Sequence, residues 1–115
     1  MKPKFNVIFL EEVQEFIDKL DSKSREKVIY NIHKARLVND NELFKKLLGE
    51  IWEFRTLYNR KKYRLLAFWD KLEKVESIVV STHGFLKKTD KTPQSDIDKA
   101  EKIRKQYFEQ KNKKK

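Results

Sequence analysis

Cysteine is absent from the sequence, so neither a disulfide framework nor a thiolate-held metal centre can form. Histidine occurs twice, at His33 and His83, too far apart in the chain to show a metal-ligand spacing. No metal and no cofactor is therefore expected. Glycine also occurs only twice, at Gly49 and Gly84, and neither G-x-x-x-x-G-K-[ST] nor G-x-G-x-x-G is present. That excludes the glycine-rich loops that cradle nucleotide phosphates. Apolar runs are short (VIFL, LLAF, SIVV), well under the roughly 18 residues a membrane helix needs. The first residues, MKPKFNVIFLEEV, turn acidic too soon for a signal peptide. These absences lead to the expectation of a cytoplasmic protein with no membrane partner.

What the chain has in quantity is charge. Its 115 residues include 28 Lys and Arg against 18 Asp and Glu, a formal net charge of +10. The excess is uneven: residues 1–50 carry 10 basic and 9 acidic side chains, residues 87–115 carry 11 and 5. A basic second half fits a polyanionic partner, either nucleic acid or an acidic protein.

The length predicts one domain, here residues 1–110, with 111–115 as a basic tail. Residues 4–9 read as a short strand. Leu10, Val13, Phe16, Ile17 and Leu20 then recur at helical spacing, and Asp21-Ser22 ends that helix and caps a second over 24–38. Residues 42–48 fit a helical turn closed by Gly49. The period then changes to two: IWEFRTLY, KYRLLAFW and ESIVVSTH are three strand candidates with short links, the second link being DKLEKVE. Thr92 as N-cap and Pro93 at the first helical position announce a last amphipathic helix, with Tyr107 in its core face. The order is β-α-α-β-β-β-α, an α+β fold with helices packed on one side of an antiparallel sheet.

Candidate chemistry lies on the strands. In IWEFRTL, Glu53 and Arg55 share the face opposite Trp52 and Phe54. If Leu57 pairs with Lys62, Arg55 lies directly across from Arg64, an arrangement that sheets avoid and an anionic ligand would relieve. The competing reading is a solvent-exposed ion-pair cluster. On the third strand, simple alternation groups Val79, Ser81 and His83 on one face. His83 leads into Phe85, Lys87 and Lys88, while His33 sits in a helix as a structural residue. Arg, Lys, Glu and His are sufficient to cleave RNA without a metal, because the 2′-hydroxyl is RNA's own nucleophile. An exposed Phe85 would stack on a base.

The succession GEIWEFR, KYRLLAF, VSTHGFLKKTDKTP and DIDKA resembles the RelE/ParE toxin superfamily, and within it the HigB-like, phage-derived branch. The resemblance spans most of the chain and is most specific over residues 49–100. It implies the RelE-like fold, a ribosome-dependent mRNA endoribonuclease, and a cognate antitoxin of the HigA-like helix-turn-helix type. By position it makes Glu53, Arg55, Arg64, His83 and Lys87 the expected catalytic set, and Arg60, Lys62, Phe85 and Lys88 the expected RNA contacts. It also implies that free RNA is cut poorly without ribosomes. Two other readings share the fold or the charge: a ParE-like inhibitor of DNA gyrase, and a non-catalytic RNA-binding module.

Overall fold

Asp21 ends one helical periodicity and begins the next, and its carboxylate accepts the Ser24 backbone N–H at 2.9 Å as a helix cap should. In the computed structural model, which describes residues 2–71 and 77–113, the elements follow as β1 (Asn6–Phe9), α1 (Glu11–Asp18), α2 (Ser22–Leu37), β2 (Phe44–Leu48), β3 (Ile51–Tyr58), β4 (Lys61–Asp70), β5 (Ile78–Lys87) and α3 (Gln94–Lys113). The expected DKLEKVE link lies largely outside the described residues, as do Lys114 and Lys115 of the basic tail. The α+β class is as expected. The sheet has five strands in the order β1-β5-β4-β3-β2, antiparallel except for β1 and β5, which run parallel.

Two expectations are corrected. Residues 44–48 form an edge strand rather than a helical turn. Phe44, Leu47 and Leu48 have helical spacing, but the Phe44 ring stacks on Phe54 at 4.4 Å and on Trp52 at 4.9 Å, and that packing overrides the local pattern. Gly49, at φ +56°, turns the chain from β2 into β3. The second correction concerns the layers. α1 and α2 bury Val13, Ile17, Val28 and Ile32 against Phe54, Leu65, Ala67 and Val79. α3 covers the other face, where Ala100, with Ile97 and Phe108, meets Leu66, Phe68 and Val80. Both faces of β4 and β5 are apolar, so each needs its own cover.

Arginines tie the first layer together. Arg25 donates to the carbonyls of Ile17, Asp18 and Leu20, closing the end of α1. Arg36 donates to the carbonyl of Phe5 at 2.8 Å and holds α2 to the start of β1. At the far end of α3, Tyr107 packs edge-on against Phe68 and its hydroxyl donates to the buried Asp70 at 2.7 Å. This is the core-face role expected of it. α3 runs on through Lys113, and Lys111 pairs with Asp70 at 2.6 Å.

Gly84 is required by a close approach. A Cβ built there would lie 2.5 Å from Cδ2 of Phe16, on α1. Gly84→Ala is therefore expected to destabilise the protein by about 1–3 kcal/mol, the usual cost of overpacking. Phe16→Leu should recover part of that loss in the double variant. Urea unfolding of the four-member cycle measures both, and additive effects would contradict the contact.

Candidate nucleic-acid interface

The β3–β4 hairpin sets the first half of the site. Asn59 and Arg60 form its two-residue turn with φ of 52° and 64°, the hand that matches strand twist. Arg60 in this left-handed region costs about 1 kcal/mol relative to glycine, and its side chain lies beside the groove described below. The turn fixes the expected register: Leu57 pairs with Lys62 and Arg55 with Arg64.

A bulge in β5 sets the second half. Ser81 pairs with Ala67 but His83 pairs with Leu66, so Thr82 has no residue opposite it. One extra residue reverses the faces of everything that follows. Simple alternation placed His83 with Val79 and Ser81. The bulge instead puts His83, Phe85 and Lys87 on the α3 side, in line with Leu66, Arg64 and Lys62. Three rows result across that face: Glu53–Leu66–His83, Arg55–Arg64–Phe85 and Leu57–Lys62–Lys87. Two of them set like charges directly across from each other, Arg55 with Arg64 and Lys62 with Lys87.

One carboxylate serves the arginine pair. Glu53 Oε1 lies 3.4 Å from Arg64 Nε, and Oε2 lies 3.8 Å from Arg55 Nε. Oε1 also accepts the Thr92 hydroxyl at 2.6 Å. Glu53 is 2% exposed and Arg64 4%, so the open ion-pair cluster considered from sequence is corrected: α3 and the segment before it cover this end of the face. The Nε atoms of both arginines are buried without a hydrogen-bond acceptor. Each guanidinium is anchored elsewhere, Arg64 Nη1 on the Tyr63 carbonyl at 3.0 Å and Arg55 Nη1 on the Asn41 carbonyl at 3.2 Å.

Beside this cluster an open groove of about 440 Å³ is lined by Arg60, Lys61, Lys62, Lys87 and Lys88, with Leu86, Thr89 and Asp90. Burial pushes the Lys87 ammonium below its ordinary pKa; Arg64 adds to the shift, Glu53 opposes it, and Arg55 and Lys62 reinforce it. Burial likewise lowers Arg64, with Glu53 opposing and Arg55 adding. A lysine that gives up its proton more readily than usual, next to two fixed cations, suits an anionic ligand that undergoes proton transfer.

The structure thus brings Glu53, Arg55, Arg64 and Lys87 together and places Arg60, Lys62 and Lys88 along one groove with Lys87. His83 is on the same face but 2% exposed, and both ring nitrogens are engaged. Nε2 lies 3.1 Å from Asp96 Oδ1, and Nδ1 lies 3.1 Å from the Thr82 hydroxyl. The Leu66 carbonyl accepts from both Ser81 and Thr82, at 3.0 and 3.3 Å, so the Thr82 hydroxyl is shared between that carbonyl and Nδ1, and the Asp96 carboxylate takes the imidazole proton on Nε2 as its donor. Phe85 is half-buried, with one side of its ring stacked on His83 at 5.9 Å. A proton carrier and a free stacking ring were expected here; the pair instead props α3 against β5. His33 is exposed on α2, away from this face. Sequence reasoning missed Thr92, Asp96 and Lys61. Thr92 was read as a helix cap, but its hydroxyl is spent on Glu53, and only the proximity of T-P to the lysine pair marked it.

Burial lowers the pKa of His83 from 6.5; the Asp96 hydrogen bond opposes that, Lys99 adds to it and Glu12 opposes. The folded protein therefore binds this proton less readily than the unfolded chain. Stability should rise with pH between the lowered folded value and 6.5, and fall as pH drops through that window, with a slope of at most about 1.4 kcal/mol per pH unit. Denaturant midpoints measured across pH 5–7 for wild type and His83→Gln check this. Equal pH slopes in the two proteins would show that His83 takes up its proton freely when folded.

Residues 15–105 match the family model described as phage-derived protein Gp49-like (DUF891). The matched span contains every residue of the arginine cluster and the groove. No curated protein matches the chain.

Proposed function

The chain belongs to the phage-derived Gp49-like family, a group of toxin-like proteins, and from that premise we propose that it is the toxin of a toxin–antitoxin pair, of the HigB type, that cleaves mRNA on the ribosome. The observation that carries the reading is the pair of like-charged rows on one sheet face, Arg55/Arg64 and Lys62/Lys87, of which the first has a single buried carboxylate, Glu53, between its two cations. A phosphodiester relieves that repulsion, and a phosphate gaining charge in the transition state relieves it further.

In the proposed reaction the 2′-hydroxyl oxygen bonds the adjacent phosphorus and passes its proton to water in the open groove. The P–O5′ bond breaks, and a 2′,3′-cyclic phosphate remains. Arg55 and Arg64 stabilise the crowded phosphate, and Lys87 donates the proton that the departing 5′-oxygen takes. Lys62, Lys88, Arg60 and Lys61 hold neighbouring phosphates along the groove. Glu53 holds the two arginines in place, and His83 supports α3. Alignment of the message is left to the ribosome, because the groove is open and has no free aromatic platform. An antitoxin keeps the toxin silent, and a HigA-like helix-turn-helix protein fits the HigB reading.

Inducing the protein alone in cells and mapping mRNA 5′ ends against reading frame tests this. In-frame, translation-dependent cuts are expected, with little cutting of naked RNA by the purified protein. Growth arrest with intact mRNA and DNA damage would replace the reading with a gyrase poison. Salt-dependent RNA binding without product would replace it with a binding module.

A further inference from the structure

We infer that Thr92 is a positioning residue for the phosphate site: its hydroxyl holds Glu53 back from the two arginines and so keeps both available to an anion. The inference rests on the reading of Arg55 and Arg64 as phosphate-binding residues.

The distances carry it. Charge-assisted hydrogen bonds between guanidinium and carboxylate close to about 2.7–2.9 Å. Glu53 stops at 3.4 Å from Arg64 Nε and at 3.8 Å from Arg55 Nε. Neither Nε has a hydrogen-bond acceptor, although both are buried. A buried, unsatisfied charged donor beside a carboxylate is costly, and the two should close on each other unless something holds them apart. The bond that does close on Glu53 is the short one from Thr92, 2.6 Å to Oε1. The arginines are restrained as well, through Nη1 bonds to the Tyr63 and Asn41 carbonyls. Thr92 itself is fixed by the chain that follows it, where Asp96 of the first turn of α3 meets His83. Glu53 thus supplies enough negative charge for two neighbouring cations to coexist, without filling their hydrogen-bonding positions. Thr92 sets that distance.

Without the hydroxyl, Glu53 is free to close on Arg64 and compete with the substrate phosphate. Thr92→Val, which keeps the shape, is expected to weaken binding of a short 2′-deoxy oligonucleotide about 10-fold, the loss of one charge-assisted bond. Thr92→Ser should bind as wild type does. The Arg64 Nε–H proton resonance should move downfield in the valine variant as it gains an acceptor. Thermal stability should change little, because the Arg64–Glu53 bond gained replaces the Thr92–Glu53 bond lost; a merely structural threonine would lose stability and leave the arginine resonance in place.

The oligonucleotide cannot be cleaved, so this test is separate from the nuclease reading. Wild type that binds it but leaves mRNA intact would overturn the nuclease and leave this inference standing. Unchanged affinity in Thr92→Val, a serine variant as weak as valine, an unmoved Arg64 resonance, or wild type that does not bind the probe would each overturn the inference.

Discussion

Replacing Arg64 with alanine is expected to lower ribosome-dependent mRNA cleavage by about 10²-fold or more, the cost of losing one preorganised transition-state donor. The loss should fall on kcat, because the groove lysines proposed to bind neighbouring phosphates remain. Arg55→Ala should behave similarly and is the cleaner variant, since the Arg55 side chain is 23% exposed and that of Arg64 only 5%. Removing Arg64 also removes a buried group, so the thermal midpoint of each variant has to be measured beside its rate. Single-turnover cleavage on stalled ribosomes, with both variants folded at the assay temperature, is the decisive measurement. Wild-type rates in both would remove the arginine pair from the chemistry.

Glu53→Ala is expected to have the largest effect on stability. It strips the nearest negative charge from two cations that face each other across β3 and β4, one of them 4% exposed. Removing one partner of a buried ion pair costs about 3–5 kcal/mol, because the remaining charge stays uncompensated. For a domain of this size that lowers Tm by roughly 10 °C or more. Phosphate or sulfate should recover more stability in the variant than in wild type, since an anion bound at the arginines replaces the missing carboxylate. Guanidinium-free thermal melts at low salt, repeated with added phosphate, measure both effects. A change below about 1 kcal/mol would mean that solvent, rather than Glu53, balances the pair.

Much of the site was legible because its local rules are strong. Period two in IWEFRTLY and KYRLLAFW gave both the strands and the sharing of a face by Glu53 and Arg55. The short polar link between them gave the register that pairs Arg55 with Arg64. Asp21 was legible as a cap for the same reason: its hydrogen bond spans only three residues. Other features had a trace in the sequence that the local reading passed over. The unbroken apolar runs LLAF and SIVV belong to strands covered on both sides, which already implied a helix on each face of the sheet. Phe44 looked helical because its true partners, Phe54 and Trp52, become neighbours only once β2 folds back on β3.

By itself the sequence determined the α+β class, the helices and central strands, the types of residue at the site and the like-charged pair across the hairpin. These depend on side-chain period and on contacts across a two-residue turn. Only the tertiary structure decided that His83, Phe85 and Lys87 join that face, that Glu53 and Arg64 are buried, and that Thr92 reaches Glu53. Along β5 a single extra residue at Thr82 exchanges the two faces of every position after it. α3 and the segment before it reach the face from still further along the chain. Where a side chain ends up then depends on long-range packing, and local alternation carries no record of it.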